Sequence, residues 1–142
     1  MKIRQLCVLF TLIILTGCSS TQLEQSCSSV ASYLIPPESK NLYPAMITHI
    51  DGKPVLAQAF YKLSVGRHTI TIAELVSAPS LIVPLKFRGT KTLTINMDEN
   101  KRYHLAALFN PKLTMPAKSS GFWKPDVWKK ESFTCLIDPV KK

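Results

Sequence analysis

Between positions 90 and 97 the chain reads TKTLTINM, and its apolar residues Leu93, Ile95 and Met97 alternate with Thr92, Thr94 and Asn96. Successive side chains of an extended strand point to opposite faces, so this spacing predicts a strand with one dry and one wet face. The next stretch repeats the pattern, with Tyr103, Leu105, Ala107 and Phe109 set for an interior face and Arg102 and His104 for an exterior one. Asp98-Glu99-Asn100-Lys101 lies between them and predicts a tight reversal. The strands 90–97 and 102–109 are therefore expected to form a hairpin within one sheet.

The same reading places strands at 45–50, 58–63, 68–76, 80–87 and 132–137, and finds no amphipathic helix of three turns. Asp51-Gly52-Lys53-Pro54 combines a glycine able to take positive φ with a proline that stops a strand, and so predicts a turn. Pro84 interrupts SLIVPLKF and cannot donate to a ladder, which assigns 80–87 to a sheet edge. About seven short antiparallel strands without helices predict an all-β fold, a single small β-sandwich spanning 45–142. Within it, HIDGKPVLAQAFYKLSVGRHTITI is similar to the small sandwich modules of the PEGA type, through Ile50, Asp51, Gly52, Leu63, Gly66 and His68. The chain departs from that pattern at Val65, where the family often has proline. The resemblance implies a non-catalytic envelope module.

The N-terminal pattern is different in kind. Lys2 and Arg4 precede the apolar run 6–15, LCVLFTLIIL, which hands over to Thr16 and Gly17. Ten apolar residues fall short of the roughly 20 that a transmembrane helix needs, and the layout is that of a signal peptide, 1–17. A buried core helix is the competing reading, but it would show a polar face. Leu15-Thr16-Gly17-Cys18 resembles the lipobox of bacterial lipoproteins. That resemblance implies cleavage before Cys18, three acyl chains on it, and anchorage to a membrane. Ser19, in place of the aspartate that retains such proteins at the inner membrane, implies the outer membrane of a Gram-negative cell, with the chain facing the periplasm. Residues 18–44 are then a lipidated N-terminus and tether.

Cleavage leaves 125 of the 142 residues, enough for one domain with a core, and lowers the formal charge from +9 to +7 by removing Lys2 and Arg4. A basic envelope domain is drawn to anionic surfaces such as lipopolysaccharide phosphates or peptidoglycan carboxylates. Scattered lysines that keep a small protein soluble are the simpler reading. Nucleic acid is not an expected partner of an exported chain, although another envelope protein is.

With Cys7 discarded and Cys18 lipidated, Cys27 and Cys135 remain, 108 positions apart. In an oxidising compartment two such thiols predict a disulfide tying both ends of the domain. A metal site is the rival, but no paired Cys or His spacing supports it, and no metal or cofactor is expected. The eight residues between Cys18 and Cys27, each spanning at most about 3.6 Å, hold the domain near the membrane.

No enzyme motif is present: G-x-S-x-G, H-E-x-x-H and the phosphate-cradling loop are all missing, and the chain is expected not to be an enzyme. His49, His68 and His104 would have to converge to form a site. His104 is expected on a wet face and His68 shares parity with Ile70 and Ile72, so they are expected to point to different places. The stretch 121–132, GFWKPDVWKKES, is expected to be a loop that interleaves aromatics with cations, and its Trp123, Lys124, Trp128 and Lys129 are candidate contacts for a glycan or anionic lipid. The simpler reading is that both indoles plug the sandwich end beside Cys135.

Overall fold

A computed structural model describes residues 25–113 and 120–137. The expectations for the signal peptide, for Cys18 and for Ser19 fall outside them. The protein is an all-β sandwich of ten strands in two sheets, with four short 3-10 turns and no α-helix among the described residues.

The strands are β1 (Gln25–Ala31), β2 (Leu42–Tyr43), β3 (Ala45–Ile50), β4 (Lys53–Pro54), β5 (Phe60–Ser64), β6 (Gly66–Glu74), β7 (Thr90–Met97), β8 (Lys101–Phe109), β9 (Trp123–Ser132) and β10 (Leu136–Ile137). The smaller sheet runs β4-β3-β6-β7, all antiparallel. In the larger sheet β8 pairs with β9 along one edge and with β1 and β2 along the other. β1 runs parallel to β8 and antiparallel to β5 and β10.

Two facing rows of side chains form the core. Val30, Tyr61, Tyr103, Leu105, Phe109 and Trp123 come from the larger sheet, and Ile47, Ile70, Ile72, Ile95 and Met97 from the smaller one. Burying such side chains contributes about 1.5–3 kcal/mol each and is what holds the sheets face to face. The β3-to-β4 turn is the one its residues demand, with Asp51 at φ 50° and Gly52 at φ 76°.

Four expectations are corrected. β7 and β8 have the expected faces but belong to different sheets, so Asp98–Asn100 carries the chain across the sandwich instead of closing a hairpin. Each strand's dry face meets the other's across the core, and alternation alone satisfies either arrangement. Segment 80–87 is no strand: Pro84 sits at φ −60°, ψ 147° and opens a 3-10 turn, Leu85–Phe87. Residues 25–43, expected in the tether, supply β1 and β2, and β1 is an interior strand. Lastly, 123–132 is a ten-residue strand rather than a loop, and 132–137 divides between its end and β10.

The disulfide is formed. Cys27 and Cys135 are bonded with Cα atoms 5.1 Å apart, and both are fully buried. Asn100, at φ 54°, sits beside it. Its N–H donates to Cys27 O at 2.9 Å, its carbonyl accepts from Phe133 N–H, and its Oδ1 accepts from Cys135 N–H at 3.0 Å. One residue thus joins the sheet crossover, the first strand and the C-terminal segment. This pole of the sandwich is also where the chain enters at Gln25.

Candidate functional site

The aromatic and cationic stretch 121–132 does not form a single surface. Trp123 pairs with Phe109 and turns into the core at 2% exposure, while Trp128 occupies a β-bulge and lies half-buried on the outer face, 6.3 Å from the His104 ring. Lys124 and Lys129 are exposed, and Lys129 is 3.1 Å from Glu131. The indoles therefore occupy opposite faces of β9, and no stacked platform exists. Trp123 does plug one end of the sandwich, but the end away from Cys135, eight residues along β8 from Lys101, which pairs beside it. Lys91 reaches across from β7 to donate to Trp123 O at 2.5 Å and covers the ring, and burial pushes its amine below the ordinary value.

The three histidines stand apart. His49 Nδ1 lies 3.0 Å from Thr48 Oγ1. His68 keeps the expected parity with Ile70 and Ile72, at the end of their row. Its Nδ1 is 2.7 Å from Asp51 Oδ2, and its Nε2 is 2.9 Å from Ser64 O and 3.2 Å from Ser64 Oγ. Asp51 Oδ1 accepts from Thr69 N–H at 2.9 Å. That bond and then the His68 bond hold the Asp51 carboxyl below its ordinary value.

An aspartate, a histidine and a serine in contact invite comparison with a nucleophilic triad. A base for Ser64 needs a free lone pair at Nε2, yet Nε2 also faces the Ser64 carbonyl, an acceptor to which the nitrogen must donate. The ring is placed to clamp the β3–β4 turn to the β5–β6 connection.

His104 departs from expectation. Its parity is outward, but it is fully buried beneath Tyr33, Trp128 and Glu131. Its Nε2 is 2.8 Å from Glu131 Oε1, and this bond, with that from Lys129, keeps the Glu131 carboxyl below its ordinary value. Beside it Arg102 stacks 3.7 Å from the Phe133 ring and 4.6 Å from Phe60, and donates to Tyr33 Oη at 3.2 Å. The outer face of the larger sheet is thus closed by its own small aromatic layer. Alternation predicted the direction of these side chains and could not foretell their cover.

The opposite pole carries a feature with no precedent in the sequence reading. Residues 75–89 connect β6 to β7 over the sandwich end. Val76, Ala78 and Val83 anchor the connection in the core. Glu74, buried, accepts from Arg88 Nε at 2.5 Å and Nη2 at 2.7 Å and from Val76 N–H at 2.7 Å, while Arg88 also donates to Val76 O. The segment so fixed leaves Leu85 78%, Ile82 56% and Leu75 51% exposed, with Phe87 beside Lys86. A groove of about 440 Å³ runs between Leu85 and the Glu74–Arg88 pair. At the same pole, a second cavity of about 610 Å³ is bordered by Asn41, Phe109, Lys112 and Lys124.

Among the described residues no cluster of three His, Cys, Asp or Glu side chains could hold a metal ion, and no helix is long and apolar enough to cross a membrane. Comparison with protein-family models, with characterised proteins and with solved structures finds no match to this chain.

Proposed function

We propose that the protein is a non-catalytic lipoprotein, moored through acylated Cys18 to the outer membrane on its periplasmic side, that serves as a structural or adaptor module of the cell envelope. The observation that carries this reading is the buried Cys27–Cys135 disulfide. A disulfide closing nearly the whole domain suits an oxidising compartment, and it begins nine positions after the cysteine that ends the signal-like segment. Acyl anchorage needs two or more chains to be stable, which a triacylated cysteine supplies.

The non-catalytic part of the reading draws on the histidines. Each is engaged in local hydrogen bonding, at separate places, and the one beside a serine is oriented as a clamp. The contact between Asp51 and His68 also gives two residues of the PEGA-like segment a shared structural role. A glycan or lipid platform built from Trp123 and Trp128 together gains no support, because the rings face opposite ways.

Cys18→Ser tests the anchor. Intact protein should carry an acyl mass adduct, label with palmitate and sediment with outer membranes, and the variant should be soluble in the periplasm. Membrane association unchanged in the variant, with no adduct on the original, would falsify the reading.

A further inference from the structure

We propose that the 75–89 connection is a docking surface for a second envelope protein, one that offers an apolar segment flanked by acidic side chains; this rests on the anchored-lipoprotein reading above. Exposed aliphatic side chains scattered singly need no explanation, but Leu75, Ile82, Leu85 and Phe87 belong to one short connection. They are not a slack loop. Val76, Ala78 and Val83 are sunk in the core between them, and the Glu74–Arg88 pair pins the far end. The exposed residues are therefore held out, and no inward collapse is open to them.

Position decides the occupant. β1 and β8 run parallel, so the chain enters the sandwich at the Cys27 pole, and β6 and β7 both meet the connection at the other one. From Cys18 to Gln25 there are seven residue steps, at most about 25 Å of extended chain. The nine residues of β8 alone span about 27 Å between the poles. The tether is thus too short to stand the domain on its far pole with the apolar tip driven into the bilayer that holds it, and the tip is left open to a protein partner.

Charge narrows the choice further. Lys86 lies within the apolar tip, and Lys40, Lys112 and Lys124 share its pole, none of them in an ion pair among the described residues; Glu38 is the exposed acid nearby. A second copy docked tip to tip would place Lys86 against Lys86. Glycans prefer flat aromatic faces to aliphatic tips. An apolar segment with carboxylates beside it satisfies both the aliphatic residues and the lysines.

The experiment places a photo-crosslinking amino acid at Leu85, and as control at exposed Val65 near the tether pole, in the full-length protein in its own cells. The expected result is a discrete protein adduct from position 85 and not from 65, lost when Lys86→Glu is added. That partner, once purified, should bind the purified mature domain, with affinity falling about tenfold on Leu85→Asp while the melting temperature is unchanged. A crosslinked homodimer, a lipid adduct, or sedimentation of the purified domain with phosphatidylglycerol vesicles that Leu85→Asp abolishes would each overturn the proposal. So would equal adducts at both positions or none at either. Repeating the crosslink in Cys18→Ser separates the two readings: an adduct kept without a lipid anchor on the native chain sinks the anchorage and leaves the docking surface.

Discussion

Asp51 and His68 lie 17 positions apart and meet at 2.7 Å, binding the tightest turn of the smaller sheet to the strand that follows the next one. The Asp51 carboxyl is held below its ordinary value by the Thr69 N–H and then by His68, so its contribution has a definite sign. It is complete above the ordinary carboxylate value and is lost as pH falls through the lower, folded-state value. Asp51→Asn keeps an acceptor and tolerates the left-handed backbone, so it should differ little from the wild type in strong acid and be less stable near neutrality. Asp51→Ala also removes the acceptor of the Thr69 N–H, which water can reach, and should lose about 0.5–1.5 kcal/mol. Urea midpoints from pH 7 to pH 2 check both.

The disulfide closes a loop of 108 residues, for which chain entropy gives about 4.7 kcal/mol. Strain and residual denatured structure usually reduce that figure. The Cys27→Ser, Cys135→Ser double variant should lose about 2–4 kcal/mol in denaturant titration, and added reductant should leave its midpoint where it was.

Breaking the Glu74–Arg88 pair should be more harmful than replacing it. Arg88→Ala leaves a buried carboxylate and should cost about 3–5 kcal/mol, whereas Glu74→Leu with Arg88→Leu should cost less, about 1–3 kcal/mol from the Val76 N–H it leaves without an acceptor. Thermal melts of the two variants, with limited proteolysis of 75–89, give the comparison.

The tryptophans should differ as their burial does. Trp123→Ala removes a core side chain and should cost about 3–5 kcal/mol, while Trp128→Ala, from the half-buried outer face, should cost less than about 2 kcal/mol. Acrylamide should quench the single-tryptophan protein that retains Trp128 more steeply than the one that retains Trp123.

Sequence made some of this plain and hid the rest for physical reasons. β7 lies where its pattern puts it, because it has one wet face and alternates cleanly, and β3 keeps its bounds although a bulge between Ile47 and His49 breaks its alternation. β1 was missed because Cys27, Ser28 and Ser29 are small or polar, and they are buried by a disulfide and by partners from β5 and β8 rather than by hydrophobicity. The outward parity of His104 predicts a wet position, and its cover comes from Tyr33 and Trp128, distant in the chain. The pairing of Cys27 with Cys135 follows from the sequence once Cys7 and Cys18 are set aside by the signal-peptide and lipobox resemblance. That of Glu74 with Arg88 does not, since nothing local marks a carboxylate whose cation arrives 14 residues later across a turn.

β1 holds an interior place in its sheet although it is the earliest described stretch of the chain, and its neighbours come from the middle and the far end. The smaller sheet is complete by Met97, but the larger one cannot close around β1 until the C-terminal strands arrive. Until the last residues are made, the outer end of the first strand lacks β10 and its thiol has no mate. The bridge and the pairing of the first strand's outer end therefore lock late, once the C-terminal segment arrives.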